Sequence, residues 1–154
     1  MPPKSANLDP VIACSRYVVR VRFRDTDQMG IVHHATYLEY LEAGRIEYLR
    51  RRGVDYGTLS ASGVHLAVAE VQIRYRRPAR FDERIVVETT LVELGRASAR
   101  YGYRLLRETS GEVIAEASTL LACLDDAHKM RRIPDDIDAV LRGPESHPRP
   151  LDQA

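Results

Sequence analysis

Little in this sequence is of the kind that announces a compartment or a partner. It has two cysteines, Cys14 and Cys123, far apart in the chain. That spacing makes neither a metal ligand set nor a disulfide framework. Cys123 also lies in an apolar run, where a thiol serves as a small core residue. An excess of one charge is missing too: 23 Lys and Arg stand against 22 Asp and Glu, a net charge of +1. A whole-protein pull toward nucleic acid is therefore not expected. No apolar run approaches the ~18 residues of a membrane span. Met1 to Pro10 carries Pro, Lys, Asn and Asp and no apolar h-region, so the expected location is the cytoplasm. The common hydrolase and nucleotide devices are also missing. There is no G-x-S-x-G elbow, no H-E-x-x-H zinc helix, no P-loop and no G-x-G-x-x-G. Chemistry in a chain this small must come from something simpler.

What is present fits a single domain: 154 residues, 44% of them hydrophobic and 29% charged, enough for a real core. Residues 1–16 have no sustained period and read as a loose leader; the domain is expected over 17–142, with a proline-rich, frayed tail over 143–154. Tyr17 to Arg24 sets Tyr17, Val19, Val21 and Phe23 against Val18, Arg20, Arg22 and Arg24, the pattern of a strand with one buried face. Asp25-Thr26-Asp27-Gln28-Met29-Gly30 breaks it with turn-formers. Thr36-Tyr37-Leu38-Glu39 has the form of a capping box. The helix it opens should run to about Arg52, burying Tyr37, Leu41, Gly44 and Tyr48, with Glu47–Arg51 as an i,i+4 pair and Gly53 as left-handed cap. Glycine in mid-helix costs about 1 kcal/mol against alanine, which makes sense if the backbone lies hard against a sheet.

From Val64 onward the pattern is strand. His65–Tyr75 alternates Ala67, Ala69, Val71, Ile73 and Tyr75 against Glu70, Gln72 and Arg74. Ile85–Leu94, Arg96–Leu106 and Val113–Leu124 follow, separated by Arg80-Phe81-Asp82-Glu83, Gly95 and Thr109-Ser110-Gly111-Glu112. A short helix is expected over Pro134–Leu141. One strand, one long helix and four more strands make an α+β layout: a five-stranded antiparallel sheet wrapped around one long helix. The outer face, carrying Glu70, Gln72, Arg74, Ser98 and Arg100, must meet solvent or a second subunit. The basic clusters at Arg50–Arg52, Arg74–Arg77 and Arg131–Arg132 read as solvated surface.

The densest concentration of chemistry is Asp25 to Tyr37, with two carboxylates and two imidazoles in a loop that feeds a helix amino terminus. Free amides there, with the positive end of the dipole, can stabilise an oxyanion on a thioester carbonyl. A carboxylate beside that carbonyl can act as nucleophile or as general base for water. On chemistry alone, Asp25 and Asp27 can equally be turn-shaping residues, and His33 and His34 surface loop residues.

The run Asp25-Thr26-Asp27-Gln28-Met29-Gly30-Ile31-Val32-His33-His34-Ala35-Thr36-Tyr37-Leu38-Glu39-Tyr40-Leu41-Glu42 resembles the signature of the 4-hydroxybenzoyl-CoA thioesterase-like hotdog proteins. It is especially similar to the bacterial acyl-CoA thioesterase branch of the Tol-Pal-associated type. The resemblance extends from about Tyr17 to Asp126 and includes Arg77-Pro78-Ala79-Arg80-Phe81-Asp82-Glu83. It implies a hotdog fold and hydrolysis of an acyl-CoA or acyl-carrier thioester, without metal or a cofactor beyond the coenzyme A of the substrate. Asp27 takes the place of the catalytic aspartate, and His34 that of a residue acting through its ring, its backbone amide or both. His33 is implied as a pocket wall, and Tyr37 as a residue that packs the helix start, with a place in the acyl pocket as its second reading. Arg96, at the turn Gly95-Arg96-Ala97-Ser98, is the first choice for the nucleotide phosphates, with Arg76 and Arg77 behind it. Homodimers or homotetramers with interfacial sites are implied as well. A non-catalytic acyl-CoA or acyl-carrier-protein binding module is the competing reading.

Overall fold

The structure, a computed structural model, describes residues 14–147. Its elements are β1 (Cys14–Arg20), α1 (Thr36–Arg50), α2 (Tyr56–Ala61), β2 (His65–Tyr75), β3 (Arg84–Leu94), β4 (Ser98–Arg107), β5 (Val113–Leu124) and α3 (Asp135–Arg142). The five strands form one antiparallel sheet in the order β1-β3-β4-β5-β2. This is the expected α+β hotdog architecture, with α1 against one face of the sheet and β1 and β2 at its edges. Most of the expected leader lies outside the described residues, but Cys14–Arg16 already belong to β1. Of the tail, 143–147 packs on the end of α1, where the Ser146 and His147 amides donate to the Arg51 carbonyl at 2.9 and 2.8 Å. Residues 148–154 lie outside the described residues.

Helix α1 buries the expected stripe of Tyr37, Leu41, Gly44 and Tyr48, together with Tyr40 and Leu49. Gly44 is the point of closest approach. A Cβ there would sit 2.6 Å from Thr89 Oγ1 and 2.8 Å from Val87 Cγ1, both on β3. Thr and Val are stiff at χ1 and cannot swing aside. Gly44→Ala should therefore lower stability despite the roughly 1 kcal/mol that alanine contributes to a helix, because overpacking costs about 1–3 kcal/mol. A urea midpoint equal to or above wild type would mean that the contact yields.

Three local readings are corrected by the fold. The first strand stops at Arg20; Phe23 enters a 3-10 turn over Phe23–Asp25 and is 78% exposed. In β2 the register shifts between Val68 and Glu70, so a bulge at Ala69 reverses the alternation. Leu66 and Val68 thus share the helix-facing side with Val71, Ile73 and Tyr75, in place of Ala67 and Ala69. The arginines ending α1 are not all on the surface. Arg51 meets buried Glu47 at 3.2 Å, while Arg52 lies 3.6 Å over the Tyr48 ring and donates to Ser15 Oγ at 2.7 Å. Helix α2 was not expected: six residues are too short for periodicity, and only Asp55 marks it, accepting the Thr58 amide at 2.8 Å.

The outer sheet face carries the expected charges, cross-paired as Arg100–Glu70 at 3.2 Å, Arg104–Glu88 at 3.4 Å and Arg16–Glu88 at 3.5 Å. Beside them lies a small apolar cluster of buried Val18, Val86 and Leu106 with partly buried Val113. On the inner side α1 lies over β1 and β3, leaving Val68, Val71 and Tyr75 of edge strand β2 exposed. No helix among the described residues is long and apolar enough to cross a membrane.

Candidate active site

The site begins where β1 ends. The 3-10 turn swings Asp25 inward until it is 2% exposed. Its carboxylate accepts the Arg22 amide at 2.9 Å, the Arg22 guanidinium at 3.0 Å and the Tyr40 hydroxyl at 2.9 Å. Burial pushes this carboxyl up, but those hydrogen bonds and the Arg22 charge outweigh it and hold the group below its ordinary value. The same burial and the Asp25 hydrogen bond push the Tyr40 phenol well up, so it stays a donor. The Asp25 carbonyl accepts the His33 amide at 2.9 Å. One residue thereby ties both ends of the loop to the second turn of α1.

Between those ties the chain makes a tight turn. The Asp27 amide donates to the Ile31 carbonyl at 2.8 Å, and the Gly30 amide to the Asp27 carbonyl at 2.9 Å. Gly30 takes φ +77°, a left-handed conformation that glycine adopts without strain. Asp27 Oδ1 accepts the Met29 amide at 2.8 Å, which fixes the carboxylate and leaves its second oxygen available.

The capping box is not formed. Ala35 is the cap position, without a side-chain cap bond from Thr36, and Glu39 reaches Arg22 instead at 3.3 Å. His33 does the local work: its Nδ1 accepts the Ala35 amide at 3.1 Å, which places the ring proton on Nε2. Its ring stacks on His34 at 4.2 Å. The His34 amide has no acceptor among the described residues. The His34 carbonyl is held by the Tyr75 hydroxyl at 2.7 Å.

Asp27, His34, Tyr37, Tyr75, Arg76 and Arg77 border one cleft of about 470 Å³. Tyr37 and Tyr75 meet edge to face at 5.2 Å, and burial pushes the Tyr37 phenol up to about 12. Sequence reasoning missed Tyr75 and Tyr40. Tyr40 extends the apolar stripe from Tyr37, and Tyr75 ends the inward face of β2, but neither pattern names their hydrogen-bond partners.

Not all the expected residues come together. His33 does not line the cleft. Arg76 is paired with Glu116 at 2.9 Å and Arg77 with Glu112 at 3.3 Å. Arg96 lies in the β3–β4 turn, at the end of the sheet that also carries His65. Ten residue steps along β2 separate that end from Tyr75, roughly 33 Å at strand rise. Its side chain is exposed and has no partner among the described residues.

Residues 21–141 match the family described as the thioesterase-like superfamily. The chain is 33% identical over 111 residues to a putative acyl-CoA thioesterase, YneP, of Bacillus subtilis, covering 72% of this chain and 80% of that protein. It is 31% identical over 128 residues to the acyl-CoA thioester hydrolase YbgC of Escherichia coli, covering 82% and 95%. The crystal structure of the hypothetical protein TT1821 from Thermus thermophilus superposes with a TM-score of 0.78 at 41% identity, over 83% of this chain and 95% of that one.

Proposed function

From the premise that this chain belongs to the thioesterase-like superfamily and is a thioester hydrolase, we propose that it cleaves acyl-CoA or acyl-carrier thioesters, with Asp27 as the catalytic carboxylate. The observation that carries this reading is the placing of Asp27 in one cleft with His34, whose amide is unengaged at the start of α1. In this mechanism the substrate carbonyl oxygen accepts the His34 amide, and the helix dipole adds to the stabilisation of the developing oxyanion. The free Asp27 oxygen either attacks the carbonyl carbon or takes a proton from an attacking water. The carbon–sulfur bond breaks, thiolate leaves, and water supplies the oxygen of the product acid. The Met29 amide keeps the carboxylate aimed, and the Tyr75 hydroxyl anchors His34.

We place Arg96 on the nucleotide phosphates of a substrate shared between two protomers. Arg76 and Arg77 already hold carboxylates, whereas Arg96 holds none among the described residues. An exposed β2 edge invites a second copy to pair with it. Antiparallel pairing of two such edges would set the His65 end of one protomer beside the Tyr75 end of its partner. Each Arg96 would then serve the cleft across the interface, in a homodimer or a homotetramer built from it.

Free thiol release from acyl-CoA by pure protein is the expected result; stoichiometric binding without release would make the chain a binding module. Arg96→Ala should raise KM for acyl-CoA about ten- to a hundredfold, on the scale of a charge-assisted bond of roughly 1.5–3 kcal/mol, and leave a short pantetheine thioester unaffected. Equal losses on both substrates would assign Arg96 to the fold, and a monomer at micromolar concentration would remove the shared site.

A further inference from the structure

Away from the Asp27 cleft, three side chains from separate segments form a continuous hydrogen-bonded chain. His65, at the start of β2, meets Asp126 of the loop after β5, with Nε2 to Oδ1 at 2.7 Å. Its other ring nitrogen, Nδ1, meets Ser60 Oγ in the last turn of α2 at 3.2 Å. An ionised carboxylate only accepts, so Nε2 carries the ring proton and Nδ1 offers its lone pair. The Ser60 hydroxyl has no other partner among the described residues and donates to that lone pair. The order is hydroxyl, imidazole, carboxylate, which lets a hydroxyl lose its proton as it attacks an electrophile.

The intervening turn is built to hold this order. Gly63 takes φ +81°, and a Cβ there would be 3.4 Å from Asp126 Oδ2. The Gly63 carbonyl is pinned by Arg131 Nη1 at 3.0 Å. The Asp126 side chain is 80% exposed and that of His65 32% exposed, so the chain of groups is reachable from solvent. Within a protomer it stands at the far end of β2 from Tyr75; the dimer proposed above would bring it toward the partner's cleft, but the thioesterase mechanism uses none of its members.

We propose that Ser60 is a second, base-activated nucleophile, acylated by small activated esters through His65 and Asp126. Small substrates are implied because Ser60 and His65 are half-buried beside the exposed Asp126. In the acylation step the Ser60 oxygen bonds to the acyl carbon and its proton passes to His65 Nδ1. The bond to the leaving oxygen breaks, and the leaving alkoxide or phenolate takes up that proton. Asp126 holds the imidazole and stabilises its cationic form. Water, deprotonated by the same Nδ1, then releases the acid and restores the hydroxyl.

A fluorophosphonate probe tests this, since attack by Ser60 on phosphorus expels fluoride and leaves a stable ester. Mass spectrometry should place one adduct on Ser60 of the wild-type chain. Ser60→Ala should abolish it while leaving thiol release from acyl-CoA unchanged. His65→Gln should slow labelling about a hundredfold, on the scale of general-base assistance, and Asp126→Asn at least tenfold. Asp27→Asn should label at the wild-type rate, so the outcome does not depend on the thioesterase reading. No adduct on Ser60, or labelling equally fast in His65→Gln, would overturn the proposal and leave these residues as a clip between α2, β2 and the loop after β5.

Discussion

Asp27→Asn is expected to fold like the wild type and to lose about a hundredfold or more in kcat on acyl-CoA. The fold should survive because Asp27 Oδ1 only accepts the Met29 amide at 2.8 Å, and an asparagine carbonyl oxygen fills that place. What disappears is the second oxygen with its negative charge, the atom that would attack or take a proton. His34→Ala removes the ring and keeps the backbone amide, so an intermediate loss is expected. Steady-state kinetics beside urea unfolding separates the two roles. If Asp27→Asn folds and turns over within a few-fold of wild type, the carboxylate is structural and the nucleophile lies elsewhere.

Asp25 should behave in the opposite way, with stability as its main readout. Asp25→Ala leaves the buried Tyr40 hydroxyl and the Arg22 amide without their acceptor, and the Arg22 guanidinium with Glu39 alone. Orphaning such groups costs roughly 2–3 kcal/mol, and removing one partner of a pair with a buried member is strongly destabilising in general. The pH dependence follows from the direction of the shift. The Asp25 carboxyl is held below its ordinary value in the fold. Its contribution is therefore fully present above the unfolded value of about 3.9 and is lost as pH falls through the lower folded one. Urea midpoints of wild type and Asp25→Ala should differ most near neutrality and converge below about pH 4. A constant gap down to strongly acid pH would show that Asp25 acts through packing and not through its charge.

The sequence by itself determined the order of the five strands and of α1 and α3, because strand and helix periods are local properties of neighbouring residues. The alternation in β3, β4 and β5, the α1 stripe through Tyr37, Leu41, Gly44 and Tyr48, and the turn at Gly53 all lie where a one-dimensional pattern puts them. Gly44 was legible as a close approach, since a helix-weakening residue in an apolar stripe needs a packing reason. Asp27, His34, Tyr37, Arg76 and Arg77 were legible as candidates through the signature and its neighbours, and they line one cleft.

Tertiary structure decided which groups meet. Thr36-x-x-Glu39 satisfied the capping pattern, yet Asp25 and Arg22 lie close enough to claim Thr36 and Glu39, and His33 takes over the cap. The bulge at Ala69 reverses a face without changing a residue type. Tyr75 reaches the His34 carbonyl across 41 residues, and His65 reaches Asp126 across 61. Buried Arg52 looked like surface charge until the ring of Tyr48 and the hydroxyl of Ser15 enclosed it. Local periodicity records which way a side chain points relative to its own segment. A hydrogen bond between segments depends on the register and twist of the whole sheet, which exist only once the chain has closed on itself.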